Sequence, residues 1–212
     1  MESRRQEILD AALALADEKG LAAVSMRAVA ERTGVTPMAL YPYVGSKAAL
    51  LDGMVGRLLA DLVPDDAGPD WRQRLRALAR SGRGLAQRHP WAAALLFARP
   101  AVTADAVVAV DQIYTALLDA GVPDAEVPRV ERMFSTLVLG YAASEVGGRF
   151  GPGELDPRGR RGQLPEDALP GHARLEKWLD APVDWSAEFE ADIEDLLRLA
   201  ENIARRPRAH KG

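Results

Sequence analysis

The sequence predicts an all-α protein in two parts: an N-terminal three-helix domain with a helix-turn-helix over residues 1–48, and a helical bundle over residues 49–212. Three observations predict it. Apolar residues recur at helical spacing through almost the whole chain, the pattern of helices with one buried face. Nothing alternates apolar and polar side chains as a half-buried strand does, and no internal repeat is present. Serine, threonine or aspartate stands ahead of many of the apolar runs, and glycine or proline behind them, which is the punctuation of short helices.

Residues 4–19 carry Ile8, Leu9, Ala12, Leu13, Leu15 and Ala16 on one face and stop at Gly20. Arg4 and Arg5 read as a solvated helix start that can also reach a phosphate. Residues 25–47 read as two short helices around a tight turn. Ser25 caps the first, whose Met26, Ala28, Val29 and Ala30 are apolar, and Gly34 can take the left-handed conformation that ends it. Thr36 caps the second, with Pro37 at its first position, where a missing N–H costs nothing. Val35 and Leu40 can pack back on the first helix, which leaves Thr36, Pro37, Met38, Ala39, Tyr41 and Tyr43 facing outward. A helix this short buries too little surface to stand alone, so its bare face suits presentation to a partner. A helix-turn-helix lays that face in the DNA major groove. On pattern alone, a plain helical hairpin inside a core fits equally well.

Residues 46–62 open on Ser46 and carry Leu50, Leu51, Met54, Val55, Leu58, Leu59 and Leu62, a stripe wide enough for a connecting helix packed on two sides. Turn-rich residues 64–69 mark a boundary. Residues 70–88 put Trp71, Leu75, Leu78, Ala79 and Leu85 inward and their arginines outward as a solvated face. His89 ends that helix, where its side chain is expected to cap carbonyls. Residues 91–97 form a short apolar helix, and residues 103–120 and 124–147 two longer ones. Residues 148–165, dense in glycine, proline and arginine, predict a mobile loop. Residues 166–179 and 186–205 predict two final helices, followed by a fraying basic tail at 206–212.

With 48% apolar residues the chain has enough for a sizeable core. Its 27 basic and 31 acidic residues leave a formal charge of −4, which argues against indiscriminate binding to nucleic acid or membrane surfaces. A positive patch must be local, from Arg4, Arg5, Arg27, Arg32 and Lys47. The lack of cysteine excludes disulfides and thiolate sites, and no signal segment or membrane-length apolar run is present, so a cytoplasmic protein is expected. His89, His172 and His210 lie in separate elements, and no nucleophile elbow or phosphate loop occurs, so no catalytic site, metal site or cofactor is expected.

Residues 4–62 resemble the DNA-binding domain of tetracycline-repressor (TetR) family regulators. The matching marks are Glu18-Lys19-Gly20-Leu21, then Val24-Ser25-Met26-Arg27-Ala28-Val29-Ala30, Gly34-Val35, Met38-Ala39-Leu40-Tyr41 and Lys47-Ala48-Ala49-Leu50-Leu51-Asp52. The Asp-Trp start at 70–71, the His-Pro-Trp junction at 89–91 and the Arg-Pro stop at 99–100 are similar to the regulatory domain of the subgroup nearest tetracycline repressor.

The resemblance implies a dimeric regulator, most simply a repressor on a palindromic double-stranded operator released by a small organic effector. A helical ligand-binding or protein-interaction module that no longer reads DNA is the alternative. Arg27 resembles a base-reading position, where an arginine can bond a guanine bidentately. Thr36, Pro37, Met38 and Ala39 open the recognition helix, and Tyr41, Tyr43 and Lys47 are placed for phosphates, with packing as the other role of the tyrosines. Pro42 departs from the family pattern. A ligand cavity is expected among Trp91, Leu95, Phe97, Met133, Phe134, Leu137, Tyr141, Glu145 and Trp178. Leu95 stands where drug-binding relatives have a metal-ligating histidine, so an effector without metal is expected. The dimer interface is expected to use Phe134 and Val138 with Phe189, Ile193, Leu196, Leu197 and Ile203.

Overall fold

The computed structural model describes residues 2–62, 68–99, 101–150 and 168–206, and every structural statement below concerns these. Most of the expected boundary at 64–69, of the loop at 148–165 and of the tail at 206–212 lies outside them. Among the described residues the regular structure is helical: ten α-helices and one short 3-10 turn.

The first four helices are α1 (Glu2–Lys19), α2 (Met26–Arg32), α3 (Pro37–Val44) and α4 (Lys47–Ala60), with the 3-10 turn Leu21–Ala23 after α1. Ser25 and Ser46 cap α2 and α4, their hydroxyls accepting from the Ala28 and Ala49 amides at 3.1 Å. Gly34 turns the chain with φ 68, a conformation a side chain would resist. These helices enclose one core, with Ile8, Leu9, Val29, Leu40, Leu50, Met54 and Leu58 buried. Leu85, Ala92 and Leu95 from later in the chain complete it.

The bundle comprises α5 (Trp71–Arg88), α6 (Ala92–Ala98), α7 (Ala104–Asp119), α8 (Val127–Val146), α9 (Pro170–Leu179) and α10 (Trp185–Ala204). Its core joins Leu75 and Leu78 to Ile113, Leu117, Val130, Phe134, Val138, Phe189, Ile193 and Leu197. Helix α9 buries no residue. No helix among the described residues is long and apolar enough to cross a membrane.

Helix α4 bridges the two cores at close range. A Cβ added at Gly53 would lie 2.7 Å from Leu9 of α1, and one at Gly56 would lie 2.3 Å from the Thr103 hydroxyl that caps α7. Only glycine lets both neighbours approach this far.

Polar ties flank α6. The Asp17 carboxylate on α1 bonds His89 Nδ1 at 2.6 Å and accepts from Trp91 Nε1 at 2.7 Å. Arg99, beyond the other end of α6, donates to Asp52 at 2.8 Å and to the Ala48 carbonyl at 3.1 Å. The His89 side chain thus does not cap its own helix as expected: its ring turns to the acid on α1, and its backbone N–H closes α5 on Leu85.

The arginines of α5 do not form a free solvated face either. Arg72 pairs with Glu194 and Glu201, Arg76 with Glu194, Arg80 with Glu190 and Arg83 with Glu145. The acidic side of α10, beside α5, supplies most of these partners, so the two helices interlock by charge beside their apolar contact.

Candidate functional site

Two features stand out: the bare face of α3 and a cavity at the far end of α4. The N-terminal core holds α3 by Leu40 and Val44, which leaves Thr36, Pro37, Met38, Ala39 and Tyr41 exposed, Met38 to 75%. The helix runs through Pro42, which supplies no N–H for the Met38 carbonyl, and closes with Gly45 N–H on the Tyr41 carbonyl at 2.8 Å.

Thr36 differs from the two serine caps. Its side chain makes no capping bond, so its hydroxyl is available to an outside partner. The two tyrosines part company: Tyr41 is 43% exposed, whereas Tyr43 is half-buried against the N-terminal core.

The candidate cations also separate. Arg32 is bound bidentately by Glu18 at 2.6 and 2.7 Å, which holds the Glu18 carboxyl below the usual carboxylate range. Arg4 and Arg5 pair along their own helix with Glu7 and Glu2. Arg27 and Lys47 are exposed and pair with no acid among the described residues. The unneutralised positive charge of the motif therefore stands on either side of α3.

The cavity opens where α4, α5, α7 and α8 meet and holds about 500 Å³ of space, its open mouth included. Leu59 and Leu62 close it at the end of α4, with Leu78 and Gly82 from α5. Helix α7 adds Ala109, Val110 and Ile113, and α8 adds Phe134, Ser135, Val138 and Leu139. Ser135 is the one lining side chain with a hydrogen-bonding group, and it donates to Glu131 one turn back at 2.7 Å. A mid-helix glycine at 82 brings α5 close to α8, since a Cβ there would meet Val138 at 2.9 Å.

Of the nine residues expected to line a ligand site, Phe134 is the one that lines this cavity. Trp91 is tied to Asp17, and Leu95 is buried in the N-terminal core. Phe97 and Trp178 are mostly exposed, while Met133 and Leu137 lie half-buried on α8, outside the lining.

Tyr141 and Glu145 belong to a knot that fastens the start of α10. The Tyr141 hydroxyl donates to the Trp185 carbonyl, and Arg83 grips Glu145 at 2.6 and 2.8 Å while lying over the Tyr141 and Phe189 rings. Burial pushes the Tyr141 hydroxyl up, and the hydrogen bond from Arg83 holds Glu145 down. Apolar periodicity shows that such residues face inward but not which neighbour they meet. The expected set does not contain the small α7 residues or the end of α4 that line this cavity. The Ser135–Glu131 pair in an apolar helix and the mid-helix Gly82 were the readable signals.

Most of the residues expected at a dimer interface take part in the chain's own core. Phe134, Val138, Phe189, Ile193, Leu197 and Ile203 are buried within the single chain, and Leu196 is half-buried. The six buried ones fill the space between α5, α7, α8 and α10.

Family models match both parts of the chain. Residues 8–54 match the family described as bacterial regulatory proteins, tetR family, and residues 63–171 match the tetracyclin repressor-like C-terminal domain. The HTH-type transcriptional repressor DrrR1 of Streptomyces coeruleorubidus is 35% identical over 141 residues, which cover 66% of this chain and 52% of that one. The chain thus spans about half the length of that relative. An HTH-type transcriptional regulator of Saccharopolyspora erythraea is 29% identical over 204 residues, 91% of this chain and 82% of that one. The repressor KstR of Mycobacterium tuberculosis is 33% identical over 150 residues, 64% of this chain and 68% of its own.

Solved structures share the fold. Apo ActR from Streptomyces coelicolor superposes with a TM-score of 0.81 at 23% identity, covering 94% of this chain and 95% of ActR. A possible TetR family transcriptional regulator from Streptomyces coelicolor A3(2) gives 0.74 at 26% identity, covering 94% and 99%. With a helix-turn-helix domain and a tetracycline-repressor-like bundle matched in one order along one chain, the protein belongs to the tetR family of bacterial regulatory proteins.

Proposed function

We propose that the chain is a ligand-responsive transcriptional repressor that binds a palindromic operator as a homodimer and releases it when a small organic molecule enters the cavity. The observation that carries this reading is the double engagement of α4. Leu50, Met54 and Leu58 of this helix lie in the core that holds α3, while Leu59 lines the cavity. A molecule that spreads the cavity walls pushes on the helix that orients the reading face. The ties from Asp17 to His89 and Trp91, and from Asp52 to Arg99, transmit the same displacement through α6. Such coupling requires only that the effector bind one arrangement of these helices better than the other. The relatives named as repressors support the reading, as does ActR, which has been solved in complex with actinorhodin.

In the operator complex α3 enters the major groove. Arg27 reaches a guanine edge, Pro37, Met38 and Ala39 face the bases, and Thr36, Tyr41 and Lys47 meet the backbone. Half-buried Met133 and Leu137 on α8, with Leu196 and Leu199 on α10, form apolar edges beside the bundle core that a second copy covers by two-fold symmetry. The two copies of α3 then stand about 34 Å apart or somewhat more, one turn of DNA.

Selection of duplexes bound by the full chain from random DNA tests this directly. A near-palindromic motif is the expected result, and Arg27→Ala should flatten one position per half-site at a cost of ~1–3 kcal/mol. A motif unchanged in sequence and strength would remove Arg27 from the reading set, and the selection of no motif would remove the operator.

A further inference from the structure

Among the described residues Glu131 is the one charged side chain that is buried, with 9% of its surface exposed. Its position is chemically odd. The arginines of α5 that pack against the bundle are bound by acids: Arg72, Arg76, Arg80 and Arg83 by residues of α8 and α10, and Arg74 by Asp119. Glu131 receives none of them. Its hydrogen-bond partner is the Ser135 hydroxyl, a neutral group one turn along α8, at 2.7 Å. A carboxylate withdrawn from water without a cation is costly, and one hydroxyl offsets little of that cost.

The same serine is the one polar side chain of the cavity lining, so a carboxylate with no cation among the described residues stands one hydrogen bond behind the cavity wall. The rest of the lining is hydrocarbon, from Leu59, Leu78, Ile113, Phe134 and Val138 among others. The lining therefore has an apolar body and a single polar end, and behind that end lies a negative charge.

We infer that the effector is an apolar organic cation, its hydrocarbon body held between α4, α5, α7 and α8 and a protonated amine directed at Ser135 and Glu131. This deepens the proposed function and rests on the cavity being the effector site. The Ser135 oxygen can accept from the ammonium while its hydroxyl still donates to Glu131, or the ammonium can reach the carboxylate past it, and each route brings the cation to the buried carboxylate. A neutral molecule of the same shape gains the apolar contact alone. An anionic one is repelled.

Three aromatic probes of one size separate these cases: naphthylmethylamine, naphthylmethanol and naphthoate, each titrated calorimetrically into the full unmodified chain. The amine should bind at least about tenfold more tightly than the alcohol, a difference of ~1.4 kcal/mol, and naphthoate should bind most weakly. Glu131→Gln should erase the preference for the amine while leaving the alcohol's affinity as it was. Equal binding of amine and alcohol by the unmodified chain, or an amine preference that survives Glu131→Gln, would overturn the cation and leave the effector site standing. Failure of all three probes to bind at millimolar concentration would overturn the effector reading of the cavity and this inference with it.

Discussion

The outward turn of α3 offers a base reader very few hydrogen bonds. Pro37, Met38 and Ala39 have no side-chain donor or acceptor of the kind that distinguishes base edges, and Met38 is the most exposed large apolar side chain among the described residues. Apolar groups in the major groove recognise the thymine methyl. Within the proposed operator, replacing the thymine opposite Met38 by deoxyuridine removes that methyl alone. Doing so in both half-sites should weaken binding by about fourfold per methyl, ~0.8 kcal/mol each, and the penalty should shrink in Met38→Ala. Fluorescence anisotropy on the two duplexes measures it, and equal affinities would show that the methyl groups carry no specificity. Lys47 acts on DNA in the other way, through backbone charge. Lys47→Ala should weaken every sequence alike and make the slope of log affinity against log salt shallower by about one for each phosphate the lysine neutralises.

At the scale of elements, α5 is held to α8 and α10 by a ladder of charge. Arg76 holds the Glu194 carboxyl below the usual range, Arg80 does so for Glu190, and Arg83 for Glu145, in each case chiefly through a side-chain hydrogen bond. The charged carboxylate is the form that arginine binds. The stabilisation is therefore complete above the ordinary carboxylate range and lost as pH falls through the depressed values of the folded chain. Because these groups are partly open to solvent, the effect of each is modest and screened by salt. Thermal melts followed by circular dichroism should show a midpoint that falls below about pH 4, the range where free carboxylates protonate. In Glu145→Gln that fall should be shallower, because one of the linked groups no longer titrates. A midpoint independent of pH down to 3 would contradict the ladder's part in stability; that limit is roughly one unit below the free values.

At the scale of the whole molecule the question is which apolar surface the chain keeps for itself. Leu197 is buried among α5, α8 and α10 of its own chain, so an arginine there places an unpaired charge in the core. Leu197→Arg should yield unfolded or aggregated protein rather than a folded monomer. Leu137→Arg, on the half-buried edge of α8, should instead give a folded subunit that no longer dimerises and that binds the operator weakly. Sedimentation equilibrium with circular dichroism separates the outcomes. A stable dimer bearing Leu137→Arg would exclude this edge from an interface expected to cover ~2,000 Å² or more.

Much of the protein was legible in its residues because the deciding physics is local. Helical spacing, the Ser25 and Ser46 caps, Pro37 at a helix start and Gly34 in a left-handed turn act within a few residues. They fixed the helices to within a few residues at most ends, and with them the bare face of α3. The cavity and the fate of each apolar stripe were decided by tertiary structure. Burial depends on which helices meet, and residues of one stripe, such as Phe134 and Tyr141, are claimed by different neighbours. Charge behaved in the same way: the arginines of α5 and the acids of α8 and α10 stand plainly in the sequence, but only the fold paired Arg83 with Glu145 and left Glu131 without a base among the described residues. A sequence carries its side chains' hydrophobicity and charge, whereas the partner of each is a matter of distance in space, which only the packed chain sets.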